Sequence, residues 1–183
     1  HRFCFNASNA GVRARQMCPV ACGCAAPCRN LVLKTPADGC PSSCVGFLDY
    51  QNKLNALTCE DRPRGDPELQ EWVSEFIRAA DSFPYTWGSG ARDVFGPFLR
   101  DYGCQVIPFF WEQKLDFCED GGTFFPVNGL KAFCPTTCGC TSADDLCPDA
   151  CPATARRTVT APMDTFVEIM NRLSLYTALS GGA

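Results

Sequence analysis

The feature that most constrains this chain is a cysteine heptapeptide that occurs twice, as Cys18-Pro19-Val20-Ala21-Cys22-Gly23-Cys24 and as Cys134-Pro135-Thr136-Thr137-Cys138-Gly139-Cys140. The match extends outward. Phe3-Cys4 stands ahead of the first copy as Phe117-Cys118 stands ahead of the second, and a further Cys-Pro-x-x-Cys follows each, from Cys40 to Cys44 and from Cys147 to Cys151. The chain therefore carries two copies of one cysteine module. The loops of the first copy are full of Pro, Gly, Ala, Asn and Ser, so the backbone has little local preference and covalent staples must supply most of the order.

Fifteen of 183 residues are cysteine, a density that belongs to a metal-rich protein in a reducing cytosol or to a disulfide framework in an oxidising compartment. The spacing decides between them. Structural zinc sites favour Cys-x2-Cys and paired histidines, whereas this chain offers Cys-x3-Cys and Cys-x-Cys with a single histidine, His1. Disulfides are expected, with no metal and no cofactor. Fourteen cysteines match as six in the first module (Cys4, Cys18, Cys22, Cys24, Cys40, Cys44), six in the second (Cys118, Cys134, Cys138, Cys140, Cys147, Cys151) and two between them, Cys59 and Cys104. The central two are expected to pair with each other. Equivalent cysteines should pair equivalently in the two modules, without bonds between Cys22 and Cys24 or between Cys138 and Cys140, where one intervening residue places the sulfurs poorly. Sequence does not select among the remaining pairings. Cys28 has no counterpart and is a candidate interchain or free thiol.

The modules divide the chain into four parts: a first cysteine-rich module (1–44), a central helical core (45–116), a second module (117–151), and a hinge with a carboxy-terminal helix (152–183). In the centre, apolar residues at helical spacing predict a short helix over 47–57 and a longer one over 67–82, where Leu69, Trp72, Val73, Phe76, Ile77 and Ala80 make one broad stripe. Asp66 and Pro67 form its start signal as N-cap and first helical residue. That role outweighs the adhesive reading of Arg64-Gly65-Asp66. A further helical pattern covers 94–102, kinked or restarted at Gly96-Pro97 and stopped by Gly103. The stretch 104–111 is the best strand candidate, confined by Pro108 to an edge or an extended segment. From Met163 to Ser180, the residues Met163, Phe166, Val167, Met170 and Leu173 share one apolar face, a candidate partner-binding surface that follows a polar hinge. The fold class expected is mainly α with long irregular loops, small disulfide-rich modules flanking a central helical core, and little β.

Histidine-dependent nucleophilic catalysis lacks its base, since His1 is the only histidine. The acidic group Glu112, Asp116, Glu119 and Asp120 beside Phe109, Phe110 and Trp111 has the makings of a glycosidase pair, and Tyr85, Trp87 and Trp111 could stack on sugars, but core filling accounts for the aromatics more simply. The net charge of −4 and pI near 5.0 provide no basic stripe for nucleic acid. No apolar run is long enough to span a bilayer; peripheral membrane association is left open. Asn6-Ala7-Ser8 is a candidate glycosylation sequon. The chain opens at His1 without a signal peptide, so a disulfide protein of this kind is expected to have lost a targeting segment.

Phe133-Cys134-Pro135-Thr136-Thr137-Cys138-Gly139-Cys140 resembles the carboxy-terminal signature of ShK-toxin-like domains, and is similar to the Cys-Pro-x-x-Cys-Gly-Cys repeats of extracellular proteins of unicellular algae. The ShK-like pattern has two residues ahead of its last cysteine where this chain has Gly139 or Gly23 alone, so its connectivity is not carried over. The resemblance covers the two modules and implies an extracytoplasmic interaction or structural role. The function expected is a non-enzymatic, disulfide-stapled structural or assembly protein of an extracellular coat or filament, with self-association or a larger protein complex as its partner chemistry. The alternatives are an extrinsic subunit of a complex in an organelle (thylakoid) lumen and a carbohydrate-binding domain. All place it extracellularly or in a secretory or organelle lumen.

Overall fold

The computed structural model describes residues 3–28, 31–80, 90–112, 115–119, 129–154 and the single positions 167 and 171. These residues are helical and irregular, with no strand among them. The first module contributes α1 (Asn9–Met17) and the single turn α2 (Pro19–Cys22), then a 3-10 turn at Ser42–Gly46. The centre contributes α3 (Leu48–Asn55), α4 (Pro67–Ala79), a π-helical turn at Ala91–Phe95 that runs into α5 (Gly96–Tyr102), a 3-10 turn at Gly103–Val106, and α6 (Ile107–Glu112). The described residues of the second module form turns and bends.

The longest helix follows from its sequence signals. Asp66 Oδ1 accepts the Leu69 N–H at 3.0 Å, and Pro67 occupies the first helical position, which satisfies one orphan donor and removes another. Asp66 is buried and also pairs with Arg62 at 3.1 Å, so the Arg-Gly-Asp tripeptide is a helix start and is not held out at a loop tip. Leu69, Trp72, Val73 and Phe76 are fully buried, as a 3.6-residue stripe requires. They meet Phe98 and Leu99 of α5, Ile107, Phe109 and Phe110 of α6, Leu115 after it, and Phe117, Leu130 and Phe133 of the second module in one continuous core. Phe117 fixes the junction, edge-on to Phe76 at 5.6 Å and 5.1 Å from Phe110. The first module reaches the same core through Val32 and Leu33.

One sequence expectation is corrected here, and one helix was not foreseen. Residues 104–111 are helical and not extended, because Pro108 falls in the first turn of α6, where its missing N–H costs nothing, and every side chain from Val106 to Phe110 whose burial is given is inside, a pattern that periodicity cannot assign to strand or helix. The helix α1 was not signalled, since its mean polarity and lack of a side-chain N-cap leave no local start signal. It owes its place to Arg15. This side chain is fully buried and donates to the carbonyls of Asp38 (2.6 Å), Cys4 (2.6 Å) and Asn6 (3.0 Å), tying three strands of loop together. Burial pulls the guanidinium below its ordinary pKa, opposed by the charge of Asp38. The expected carboxy-terminal helix, 163–180, lies outside the described residues apart from Val167 and Asn171, so Met163, Phe166, Met170 and Leu173 are not placed; Val167 is half exposed.

Candidate functional site: the open face of the first module

The two heptapeptides fold alike. In the first, the N–H groups of Cys22, Gly23 and Cys24 donate to the carbonyls of Cys18, Val20 and Pro19 at 2.9, 3.1 and 2.9 Å. In the second, those of Cys138, Gly139 and Cys140 donate to Cys134, Thr136 and Pro135 at 2.9, 3.1 and 2.8 Å. Gly23 and Gly139 end the turn with φ of 91° and 68°, a left-handed conformation that a side chain resists. The trailing motifs agree too, with Cys44 and Cys151 each donating to a proline carbonyl at 3.0 Å. Three positions ahead of each heptapeptide stands a basic residue, Arg15 or Lys131. Lys131 binds Glu119 at 3.1 Å and Asp144 at 2.8 Å. Burial alone would lower its pKa, but the hydrogen bonds and charges of Asp144 and Glu119 raise it above the usual lysine value.

Two bridges are equivalent in the copies, as the repeat predicts: Cys4–Cys22 corresponds to Cys118–Cys138, and Cys24–Cys40 to Cys140–Cys147. No bond joins Cys22 to Cys24 or Cys138 to Cys140. The third position of the pattern then separates the modules. Cys134 is joined to Cys104 and Cys151 to Cys59, which overturns the expected Cys59–Cys104 bridge. The reason is that the connection after α3 lies along the second heptapeptide. Asp61 accepts the Thr137 N–H at 3.0 Å and its hydroxyl at 2.5 Å, Thr136 Oγ1 donates to the Cys59 carbonyl at 2.9 Å, and the Arg62 N–H donates to the Phe133 carbonyl at 2.8 Å. Those bonds hold Cys59 at the module, 45 residues of chain away from Cys104.

In the first module the equivalents of Cys134 and Cys151 are Cys18 and Cys44, and both are free thiols. They were expected in disulfides, and the correction has a plain cause. The two cysteines that serve the second module come from the helical body and have no counterpart for the first, and the remaining free thiol, Cys28, is turned to the Ala132 carbonyl. Around Cys18 the difference is visible residue by residue. Phe117, Phe133, Cys134 and Thr137 are buried, whereas their counterparts Phe3, Met17, Cys18 and Ala21 are exposed, Met17 to 81% and Phe3 to 57%. Around Cys44 the difference is a cavity. Cys140, Cys147 and Cys151 cluster with Cys59 packed on them; the matching trio Cys24, Cys40 and Cys44 instead lines an opening of about 350 Å³, together with Lys34 and, from the second module, Asp145 and Leu146. Cys44 itself is buried in the wall, and burial pushes its thiol up, against the charge of Lys34.

The other sequence candidates fall elsewhere. Cys28 carries no disulfide and donates to the Ala132 carbonyl at 3.4 Å, between the modules; burial pushes its thiol up to about 11, which removes thiolate and hence nucleophilicity at neutral pH. Asn6 is exposed, with its Oδ1 accepting the Ser8 N–H at 2.8 Å. Asp116 accepts from Trp111 Nε1 at 3.1 Å and from the Cys118 N–H at 2.8 Å, and Glu119 is held by Lys131; Tyr85, Trp87 and Asp120 lie outside the described residues. The open face was missed because the sequence shows the repeat but not which cysteines its partners consume. Counting the central pair against the third position of one module, rather than against itself, would have exposed it. Comparison with protein-family models, with curated proteins and with solved structures finds no match to this chain.

Proposed function

We propose that this is a non-enzymatic, disulfide-stapled structural protein that works by assembly in an oxidising compartment, in a surface coat, a filament or a similar polymer. The compartment follows from six disulfides, which persist where thiols are not kept reduced. Among the described residues, no helix is long and apolar enough to cross a membrane. The observation that supports assembly is the exposed Met17-Cys18 face: the second module buries the same positions against the helical body, and a stable protein does not usually leave a large apolar side chain and a free thiol at such a place without a partner. The acidic residues that a hydrolase reading would use are engaged in structural bonds at Asp116 and Glu119, which favours the structural role over catalysis.

The test is the size of the protein isolated from its source without crosslinking, by light scattering and by sedimentation. Assembly well beyond the 20.0 kDa of the chain is the expected result. A protein that stays monomeric up to high micromolar concentration would sink the proposal.

A further inference from the structure

We infer that the first module is the receptor for a second helical body of the kind formed by residues 48–112, which would bridge Cys18 through a cysteine in the place of Cys104 and Cys44 through one in the place of Cys59. The inference rests on the assembly reading above and names its partner. Two independent features point to this occupant. The first is the exposed surface: Met17, Cys18 and Ala21 stand where Phe133, Cys134 and Thr137 are sealed against such a body. The second is the cavity of about 350 Å³ on Cys24, Cys40 and Cys44, at the site where the matching cysteines of the second module receive Cys59.

The occupant comes from outside residues 1–183. Both cysteines of the helical body among the described residues are already bridged, to Cys134 and Cys151, and the one other free thiol, Cys28, is a single sulfur where two are needed. Its chemistry is further specified by the heptapeptide. The second module presents Thr136 and Thr137 to Cys59 and Asp61; the first presents Val20 and Ala21, so the partner needs no carboxylate in the place of Asp61 and gains from an apolar side chain there. In the formation of each bridge the two thiols lose two protons and two electrons as the S–S bond closes. The acceptor is a small or protein disulfide of the compartment, such as oxidised glutathione, whose own S–S bond opens to two thiols.

Disulfide mapping of the protein isolated from its source, with thiols blocked by iodoacetamide at lysis and again in guanidinium chloride, so that buried Cys44 is reached, and with digestion without reduction, tests this. Cys18 and Cys44 are expected in two bridges to two different cysteines of one partner segment, with loss of alkylation at both. Cys28 is expected to be alkylated only after unfolding. Non-reducing electrophoresis of the same sample should shift on adding reductant, or the mapped partner peptides should fall outside the 183 residues. Alkylated Cys18 and Cys44, or a bond between the two, would overturn the inference. Assembled protein with both thiols alkylated would overturn it while leaving the assembly reading intact, whereas a monomer with both alkylated would overturn both. The Cys18→Ala/Cys44→Ala double variant guards against misfolding as an explanation: neither thiol is disulfide-bonded within the chain and alanine leaves no unpaired hydroxyl at buried Cys44, so its melting temperature is expected to fall by about 3 °C at most while its covalent linkage to the partner is lost.

Discussion

The two modules share a turn, two disulfides and a basic residue, yet one is sealed and the other open. The second module, with Cys134 and Cys151 tied to the body at Cys104 and Cys59, is part of the main core, and its Phe133 is fully buried there. The first keeps its own small cluster of Cys24, Ala25, Leu31, Cys40 and Cys44 and touches the body by a different surface, Val32 and Leu33. What the difference teaches is that the internal bridges make the module, while the third pair of positions decides what it is attached to. A repeat of this kind separates folding from connection.

The comparison breaks most visibly if its asymmetric bridges are removed. Cys59→Ser/Cys151→Ser opens a loop of 92 residues and is expected to cost about 4.6 kcal/mol by the chain-entropy relation. The matching double variant in the first module, Cys18→Ala/Cys44→Ala, opens no loop and should cost only about 1 kcal/mol, from the side chain lost at buried Cys44. Equilibrium unfolding in guanidinium chloride reads both, and equal losses would mean that the two faces are not different in the way described. Packing gives the next effect. Phe133→Ala removes a fully buried ring and should cost about 4 kcal/mol, against less than about 0.5 kcal/mol for Met17→Ala at an exposed position.

The smallest effect is in pH dependence and sharpens the contrast between Arg15, which is bound by carbonyls, and Lys131, which is bound by carboxylates. Burial alone would raise the Asp144 pKa, but hydrogen bonds from Lys131 and the Leu146 N–H hold it below its ordinary 3.8. A depressed carboxylate stabilises the fold above its unfolded pKa, and this contribution is lost as pH falls through the folded value. Lys131, raised above 10.5, contributes fully below that value and loses its contribution as pH rises through the folded one. Lys131→Gln should therefore weaken both limbs of a stability-versus-pH curve. Retention of both limbs in that variant would show that other groups carry them.

Much of this was legible beforehand, and the failures share a cause. The helix at 67–79 announced itself because its stripe, its cap and its proline are all local. That equivalent cysteines pair equivalently was legible for two bridges of each module because the repeat is written twice, although which cysteines pair was not. The Cys59 and Cys104 partners were not, since pairing by position in the chain ignores that Asp61 and Arg62 are held against the second heptapeptide by bonds to residues more than seventy positions away. Residues 104–111 misled for a related reason: an apolar run buried on all sides carries no period, and proline is equally at home in an edge strand and in a first helical turn. The open thiols needed the bridges of the other module as a reference.

The order of the bridges along the chain has a mechanical consequence. A pull applied between residues 4 and 151 crosses Cys4–Cys22, Cys24–Cys40 and Cys59–Cys151 as covalent shortcuts, and all the backbone they span, the entire main helical core included, is shielded from the load. Only the dipeptide step between Cys22 and Cys24 and the segment from Cys40 to Cys59 can lengthen, the latter to a span of roughly 65 Å at full extension. That segment contains α3 and Cys44. A molecule strung into a filament through such ends would behave as a stiff link with one short spring, and the spring would lie beside the cavity at Cys44.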